Sequence, residues 1–235
     1  MGAMDEHLGE RLVLNLPVGG FSLSVNLMTM ITSWIVIIIL VALALVLRRG
    51  LRQRIEEKPN RAQALVDSVM GLLENQFGAG FASRQMARDL LPFVGTLFLF
   101  VLLMNWISVV PFLGGAPTED LNVPLSLGIM VLVTSHLVAI RAHGLRGYLR
   151  SRFRPFAFLF PLHVMGDLGR TTSHSFRLFG NLFGGGILIT VFSTALVPLL
   201  VPVGLNLFFG LFAGLIQAFV FAMLAVIYIN STASE

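Results

Sequence analysis

A stripe of polar side chains runs through an apolar stretch in the second half of the chain. Its members follow one another at steps of four and three residues, which places them on one face of a helix. They are His163, Asp167, Arg170, His174, Arg177 and Asn181. If the stretch lies in a membrane, each charged member is costly unless it is paired or hydrated. The stripe therefore predicts a water-filled path or a contact with protein.

Arg177 is the member of this stripe best suited to chemistry. Asp167 and Arg170 lie three residues apart, so a structural role in which they neutralise each other is as well supported as a functional one. Arg177 has no acidic residue three or four positions away, so no local partner explains it. Because a guanidinium keeps its proton at any relevant pH, Arg177 is predicted to be a permanent intramembrane charge.

The composition places most of the chain in lipid. Hydrophobic residues make up 56% of the 235 residues and charged residues only 12%, which leaves too little polar surface for a water-soluble domain. Cysteine is absent from the sequence, which excludes disulfides, thiolate chemistry and zinc–cysteine sites. The net charge of +4 comes from short arginine clusters between apolar stretches, as in cytoplasmic loops, so we expect no nucleic-acid partner.

Apolar stretches long enough to cross the hydrocarbon core predict an all-α polytopic fold in a single membrane domain. Three ordinary spans are predicted at 25–47, 90–113 and 121–140. The stretches 155–193 and 202–229 predict a long, tilted antiparallel helix hairpin, with a turn around Pro198 and Pro202. The total is five crossings. Apolar residues at helical spacing in 61–88 predict an amphipathic helix on the membrane or against the bundle.

The distribution of charge predicts the orientation. The basic loops 48–54 and 141–154 fall on one side of the predicted spans, and Glu119 and Asp120 fall on the other. The positive-inside rule then puts the C-terminus in the cytoplasm and the segment 1–24 outside. That segment lacks the features of a cleaved signal, and with no transit peptide we expect a bacterial inner membrane.

The last apolar stretch predicts a second polar face. Asn206, Gln217 and Tyr228 recur every eleven residues, close to three full helical turns, so they are predicted to share one side, with Gly210 and Gly214 nearby. An ordinary helix-packing face is the alternative interpretation. Beside Arg177, Gln217 would be a neutral hydrogen-bond partner that fixes the guanidinium without removing its charge.

The run Ser173-His174-Ser175-Phe176-Arg177-Leu178-Phe179-Gly180-Asn181 resembles subunit a of the F-type ATP synthases, the stator subunit of the membrane motor. Further matches cover nearly the whole chain from the first span onward. They are Met104-Asn105 ahead of Pro111, Asp120-Leu121-Asn122-Val123, and Gln217-Ala218-Phe219 with Tyr228.

The resemblance implies a function and a set of partners. In that family, the arginine matching Arg177 faces a ring of subunit c hairpins, each with a membrane-embedded carboxylate, and two offset half-channels deliver and remove the ion. The implied partners are this c-ring, subunit b of the peripheral stalk, the lipid bilayer and the translocated proton or sodium ion. The implied ion-translocating residues are the six of the stripe with Ser173, Asn206, Gln217 and Tyr228. No cofactor or bound metal is expected.

The chain departs from the family pattern where the family often has ionisable half-channel residues. Gly186 stands nine positions after the arginine, His163 fourteen before it, and no ionisable group lies near Gly210 or Ser108. Two replacements stay open. One is a relay through His163, Asp167, His174 and His136, because imidazoles titrate near neutral pH; the other is hydrated polar groups, namely Thr171, Thr172, Ser173 and Asn181.

Other interpretations compete with the motor subunit. The sequence lacks a Gly-x-x-x-x-Gly-Lys-Ser/Thr phosphate loop, so ATP chemistry is expected on other subunits and this chain is predicted not to be an enzyme. A self-contained secondary transporter would use the arginine to hold an anionic substrate, but no clear internal repeat supports it. A scaffold would use the stripe only to grip partner helices. Proton transport is the favoured hypothesis, with sodium as its competitor.

Overall fold

The computed structural model describes residues 13–18, 21–51, 61–109, 117–153, 156, 158, 160–195 and 200–234. Of the turn predicted around Pro198 and Pro202, Pro198 lies outside the described residues, whereas Pro202 lies within a short helix, Leu200–Asn206. The first part of the predicted external segment also lies outside the described residues. Five helices in the described part are long and apolar enough to cross a membrane. The prediction of an all-α polytopic membrane protein is therefore confirmed.

A short β hairpin precedes the helices. Strands β1 (Val13–Val18) and β2 (Phe21–Asn26) pair antiparallel, with Val13 opposite Asn26 and Val18 opposite Phe21. The sequence of β2, Phe-Ser-Leu-Ser-Val-Asn, alternates apolar and polar residues, which is the period of a strand with two unlike faces. The sequence analysis did not predict this hairpin.

The helices follow in the predicted order. They are α1 (Leu27–Leu51), α2 (Arg61–Phe77), α3 (Arg84–Trp106), α4 (Asn122–Arg152), α5 (Phe160–Ala195), α6 (Leu200–Asn206) and α7 (Gly214–Ser234). A π-helical segment, Leu207–Ala213, joins α6 to α7, so the last apolar stretch is helical throughout. Short 3₁₀ turns lie at Gly78–Gly80, Ile107–Val109 and Pro117–Glu119.

Two elements differ from their predicted extent. The amphipathic helix ends at Phe77, and a new helix, α3, begins at Arg84, where the Ser83 hydroxyl caps it by accepting the Met86 N–H at 3.1 Å. The basic segment expected to be a loop after Ile140 is helical as far as Arg152. It is kinked at Gly144, whose φ of 70° suits a residue without a side chain.

The core is built around α7. Its small residues Ala218, Ala222 and Ala225 are fully buried, which lets the backbones of α3 and α4 approach closely. On one side Phe221 packs with residues of three other helices, namely Leu97, Val101, Leu127, Val131 and Leu178. On another side α2 lays Leu73 and Phe77 against Val94 and Val226. The amphipathic helix therefore rests against the bundle through its apolar face.

Helix α5 packs tightly on α4 at a glycine. A Cβ atom added to Gly128 would collide with the Ser175 hydroxyl and lie 3.3 Å from Cγ2 of Thr171. A Cβ atom added to Gly71 on α2 would instead meet no other atom within 4 Å. The two glycines therefore form a matched pair, one at a helix contact and one away from it.

We expect Gly128→Ala to destabilise the protein by about 1–3 kcal/mol through overpacking between α4 and α5. Gly71→Ala should be neutral or slightly stabilising, because alanine favours a helix by about 1 kcal/mol over glycine. The measurement is the midpoint of thermal aggregation of the detergent-purified protein in its complex. Equal midpoints for the two variants would contradict the close α4–α5 contact.

Candidate ion-translocation site

Helix α5 carries the polar stripe without a break. Its 36 residues span about 54 Å, well beyond a hydrocarbon core of about 30 Å. The helix has no break between Phe160 and Ala195. Leu178 and Leu182 bury one side of α5 in the bundle, whereas Ser173, Phe176 and Arg177 are exposed on the other.

Asp167 pairs with residues of α4 and of its own helix, α5. Its Oδ2 atom lies 2.9 Å from Nη1 of Arg152 on α4 and 3.7 Å from Nε2 of His136, and its Oδ1 atom lies 2.9 Å from Nη2 of Arg170. Arg170 also donates from Nη1 to the Ser231 hydroxyl of α7 at 3.3 Å. We call Asp167, Arg152, Arg170 and His136 the Asp167 cluster. Asp167 and Arg170 therefore form the ion pair that the structural interpretation expected, and Arg152 and His136 lie beside the same carboxylate.

Arg152 is a member of the cluster that sequence reasoning missed. Its side chain is almost fully buried, with 4% of its surface exposed, although the sequence placed it in a basic cytoplasmic loop. Only the three-dimensional packing of the end of α4 onto α5 identifies it. Tyr148, one turn earlier on α4, contacts the same cluster: its hydroxyl lies 3.3 Å from Nδ1 of His136, and the Arg152 guanidinium lies 5.4 Å from its ring centre.

His174 occupies an apolar and aromatic environment. Its buried ring meets Phe221 edge-on, with 3.8 Å between ring centres, and lies 5.4 Å from the ring centre of Tyr228. Neither ring nitrogen has a hydrogen-bond partner among the described residues, and the same is true of Nδ1 of His163. A cavity of about 10 Å³ between His174, Tyr228 and the Asp167 cluster is at the lower limit for one water molecule.

Arg177 differs from both other arginines of this region. Its side chain is exposed, and within the part of the chain that the structure describes it makes no hydrogen bond or ion pair. Its neighbours on the exposed face are apolar or small: Phe176, Gly180, Phe183 and Gly184. A Cβ atom added at Gly180 or Gly184 would meet nothing within 4 Å. The charge therefore stands on an open helix face whose nearby residues are mostly apolar or small, with the Ser173 hydroxyl one turn earlier.

The last helix places the remaining predicted site residues apart from one another. Gln217 is buried, and its Nε2 has no hydrogen-bond partner among the described residues. The predicted bond, in which the Arg177 guanidinium would donate to Oε1 of Gln217, is not among the hydrogen bonds of the described residues either. The π-helical segment lies between Asn206 and Gln217, so a spacing of eleven residues no longer places these two on one side. Gln217 and Tyr228, both within regular α7, still share a side. Asn181 and Asn206 are half-buried, and Ser173 is exposed.

Cavities whose mostly apolar walls include several polar side chains lie toward the two ends of α4. One of about 280 Å³ opens beside the Asp167 cluster and is lined by His136, Tyr148, Arg152 and Asp167 together with apolar side chains. Another of about 340 Å³ lies at the start of α4, between it and α1. Its polar lining is Asn26, Thr29, Ser33, Asp120, Asn122 and Ser126. The residues of α1 in this lining recur at helical spacing, a signal that the sequence analysis overlooked.

These features define a class: a polytopic helical membrane protein whose longest helix exposes an arginine, Arg177, with no hydrogen bond or ion pair among the described residues, and with cavities toward both ends of α4. The family model for the ATP synthase A chain matches residues 30–230, and the chain belongs to this family. The resemblance drawn from the run around Arg177 is thereby confirmed.

Individual relatives are similar over most of their length. ATP synthase subunit a 2 of Picosynechococcus sp. is 36% identical over 208 residues, which cover 88% of this chain and 85% of the relative. ATP synthase subunit a of Moorella thermoacetica is 35% identical over 201 residues, covering 86% and 88%. The sodium-ion-specific ATP synthase subunit a of Propionigenium modestum is 30% identical over 221 residues, covering 88% and 74%.

The Asp167 cluster is expected to hold α4, α5 and α7 together. Asp167→Asn removes the carboxylate that Arg152 and Arg170 share, and loss of one partner of a buried pair costs about 3–5 kcal/mol. We expect a lower thermal midpoint and less assembled subunit in membranes. Asp67→Asn, which changes an exposed carboxylate on α2, is the matched control. The role assigned to the cluster fails if both variants shift the midpoint equally.

Proposed function

We propose that this chain is the ion-translocating stator subunit of a rotary F-type ATP synthase, in which Arg177 faces the carboxylates of a c-ring. The observation that carries the proposal is the uncompensated guanidinium of Arg177 on an open face of α5. Two other arginines, Arg152 and Arg170, both pair with Asp167 of the same helix. Arg177 has no carboxylate partner among the described residues. Its partner is then expected from another chain.

A fixed cation of this kind couples ion release to rotation. A ring carboxylate that approaches Arg177 is favoured in its ionised form and releases its bound cation. On either side of the arginine the carboxylate is neutralised again, because a bare charge facing lipid is costly. The same guanidinium blocks a direct leak of cations between the two half-channels. Release, rotation and reloading thereby become one process.

The surface around Arg177 suits a rotating partner. The glycines Gly180 and Gly184 leave room for another helix to approach the backbone of α5. On the last helix the exposed side chains between Val203 and Ile216 are apolar. Such a surface offers a moving ring few polar groups to bind on its way past Arg177.

The cavities at the two ends of α4 support the proposal of offset half-channels. The outer cavity, with Asn26, Asp120 and Asn122, would admit the ion from one side, and the cavity at the Asp167 cluster would open to the other. Both lie away from Arg177, so each would need hydrated side chains to complete its path. His174, Gln217 and Asn181 are the residues we assign to that role, with Ser173, Asn206 and Tyr228 beside them.

The orientation proposed for the chain has the N-terminus outside and the C-terminus in the cytoplasm of a bacterial inner membrane. Contacts support one part of this arrangement. His143, in the basic part of α4, lies 2.7 Å from the carbonyl oxygen of Ala233 near the C-terminus, so the basic segment and the C-terminus share one end of the molecule. The positive-inside rule assigns that end to the cytoplasm.

The remaining parts of the proposal follow from the family. Subunit b of the peripheral stalk is the second proposed partner, and ATP chemistry belongs to other subunits. Membership of the ATP synthase A chain family supports a motor component over the alternative of a self-contained secondary transporter. The transported ion is proposed to be the proton, and the name of the Propionigenium modestum relative keeps sodium as the competitor.

Arg177→Ala is expected to abolish ATP-driven ion uptake into liposomes that contain the whole purified complex, because ring carboxylates would no longer be ionised as they pass. Arg177→Lys should retain little coupling, because a lysine can lose its charge on desolvation. Arg88→Ala, an exposed arginine at the start of α3, is the control and should transport at the wild-type rate. An assembled Arg177→Ala complex that still couples ATP hydrolysis to uptake would refute the role of this residue.

The ion is decided in the same liposomes. A proton motor acidifies the lumen during ATP hydrolysis, loses this signal when a protonophore is added, and takes up no labelled sodium. Sodium uptake that survives the protonophore and is lost in Arg177→Ala would instead assign a sodium motor. In that case the proposed proton relay through Asp167, His136, His163 and His174 would be wrong.

A further inference from the structure

The π-helical segment Leu207–Ala213 is an irregular stretch that the function proposed above does not use. In a π-helix the hydrogen bonds run from residue i to i−5, and here the N–H of Gly214 reaches the carbonyl of Phe209. Each hydrogen bond of this kind therefore closes a ring that contains one residue more than the ring in an α-helix. Relative to a continuous α-helix, everything before the segment is rotated by one residue against everything after it. Isolated π turns are uncommon and need stabilising contacts.

Such contacts come from the end of α3. The Asn105 amide is fully buried, and its Nδ2 donates to the carbonyl oxygen of Gly214 at 3.0 Å. Trp106 donates from its ring Nε1 to the carbonyl oxygen of Leu211 at 3.2 Å. The Thr118 hydroxyl donates to Oδ1 of Asn105 at 3.1 Å, which orients the amide with its donor toward Gly214.

Glycine is required where this amide meets the last helix. A Cβ atom added to Gly214 would lie 2.9 Å from Cβ of Asn105, too close for the two elements to keep their contact. Gly210, inside the segment, is also buried. Two adjacent side chains of α3 thus bind two carbonyls of the last helix, one inside the segment and one at its end.

We propose that Asn105 and Trp106 are positioning residues that hold the last helix in its π-helical form and thereby set the rotation of α6 relative to α7. Helix α7 is fixed by its packing on α3 and α4, so a relaxation of the segment to α-helix would turn the part before it. That part carries Val203 and Asn206, and the segment itself carries the exposed apolar side chains from Leu207 to Phe212. The structural part of this proposal is independent of the proposed function. The consequence for transport rests on the proposed function.

The rotation can be measured with a cysteine pair, since the native chain has no cysteine. A Cβ atom added to Gly185 on α5 would lie 3.2 Å from Cβ of Phe209, close to the separation of about 3.5–4.5 Å in disulfides. The variant Gly185→Cys with Phe209→Cys should therefore cross-link in the assembled complex in membranes. This pair reports the part of the helix before the end of the π segment.

A second pair serves as the control. A Cβ atom added to Gly80 would lie 3.0 Å from Cγ1 of Val226, in the regular part of α7. Gly80→Cys with Val226→Cys should cross-link whether or not the π segment is present. Its yield therefore shows that the complex is assembled and that α7 keeps its place.

Removing either donor should loosen the segment. In the presence of Asn105→Leu or Trp106→Phe we expect the equilibrium between cross-linkable and rotated forms at the Gly185/Phe209 pair to shift by up to about tenfold, the effect of one hydrogen bond. Both substitutions together should lower it further. The Gly80/Val226 pair should keep its yield. If the double variant does not assemble, the two single variants decide the question.

A deletion separates rotation from general damage. Removing Phe212 turns the bond from Gly214 to Phe209 into an ordinary i to i−4 bond, so an α-helix then places Phe209 where the π-helix did. In the donor-less variants this deletion should restore the Gly185/Phe209 cross-link. Cross-linking that is unchanged by loss of both donors would overturn the proposal, and so would a lost cross-link that the deletion does not restore.

The consequence for transport is measured in the same variants. Loss of the donors should lower ATP-driven uptake, and the Phe212 deletion should recover it in parallel with the cross-link. If the cross-link responds as described but uptake does not change, Asn105 and Trp106 hold the π-helical form, but their role in the proposed motor is overturned. Loss of uptake in Arg177→Ala with a normal cross-link separates the two proposals.

Discussion

A guanidinium in a membrane-spanning helix, without a partner among the described residues, is the constraint on which the rest of this structure depends. A permanent charge at that depth is costly unless water or an opposite charge meets it, and Arg177 cannot give up its proton to escape the cost. The surrounding fold must therefore hold the charge at an exposed face, and no residue in the part of the chain that the structure describes pairs with it. The helix that carries Arg177 does this by burying its leucines and turning glycines and Arg177 outward.

The Asp167 cluster acts in the opposite sense a few turns away. There the carboxylate is shared between two guanidinium groups, one on α4 and one on α5, and Arg170 extends the cluster to α7 through Ser231, so charge serves to fix geometry. A buried pair of this kind adds little net stability compared with well-packed apolar side chains, but breaking it is costly, which makes it a specific clamp. The same helix thus uses one arginine to hold its position and another, seven residues on, to present an unsatisfied charge.

Much of this arrangement follows from sequence, and the part that does not has a physical reason. Span lengths predicted the five crossings because length and apolar composition are local properties of the sequence. The steps of the polar stripe did not show that its members meet different surroundings, since Asp167 and His174 are buried and Arg177 is exposed. Arg152 was not predicted as a buried residue, because its burial depends on how the end of α4 packs on α5, which no local sequence pattern encodes. The hairpin before α1 did carry a signal, the alternation in β2, which an analysis centred on helical periods passed over.

The eleven-residue spacing of Asn206, Gln217 and Tyr228 illustrates a different limit. The spacing is a valid argument for a continuous α-helix, and it holds from Gln217 to Tyr228 within α7. It fails before Gln217 because a long-range contact from α3 favours another helical form of the intervening turn. Side chains far along the chain therefore decide which residues of the last helix can face α5 together. Periodicity describes each half of that helix, and the junction between the halves belongs to tertiary structure.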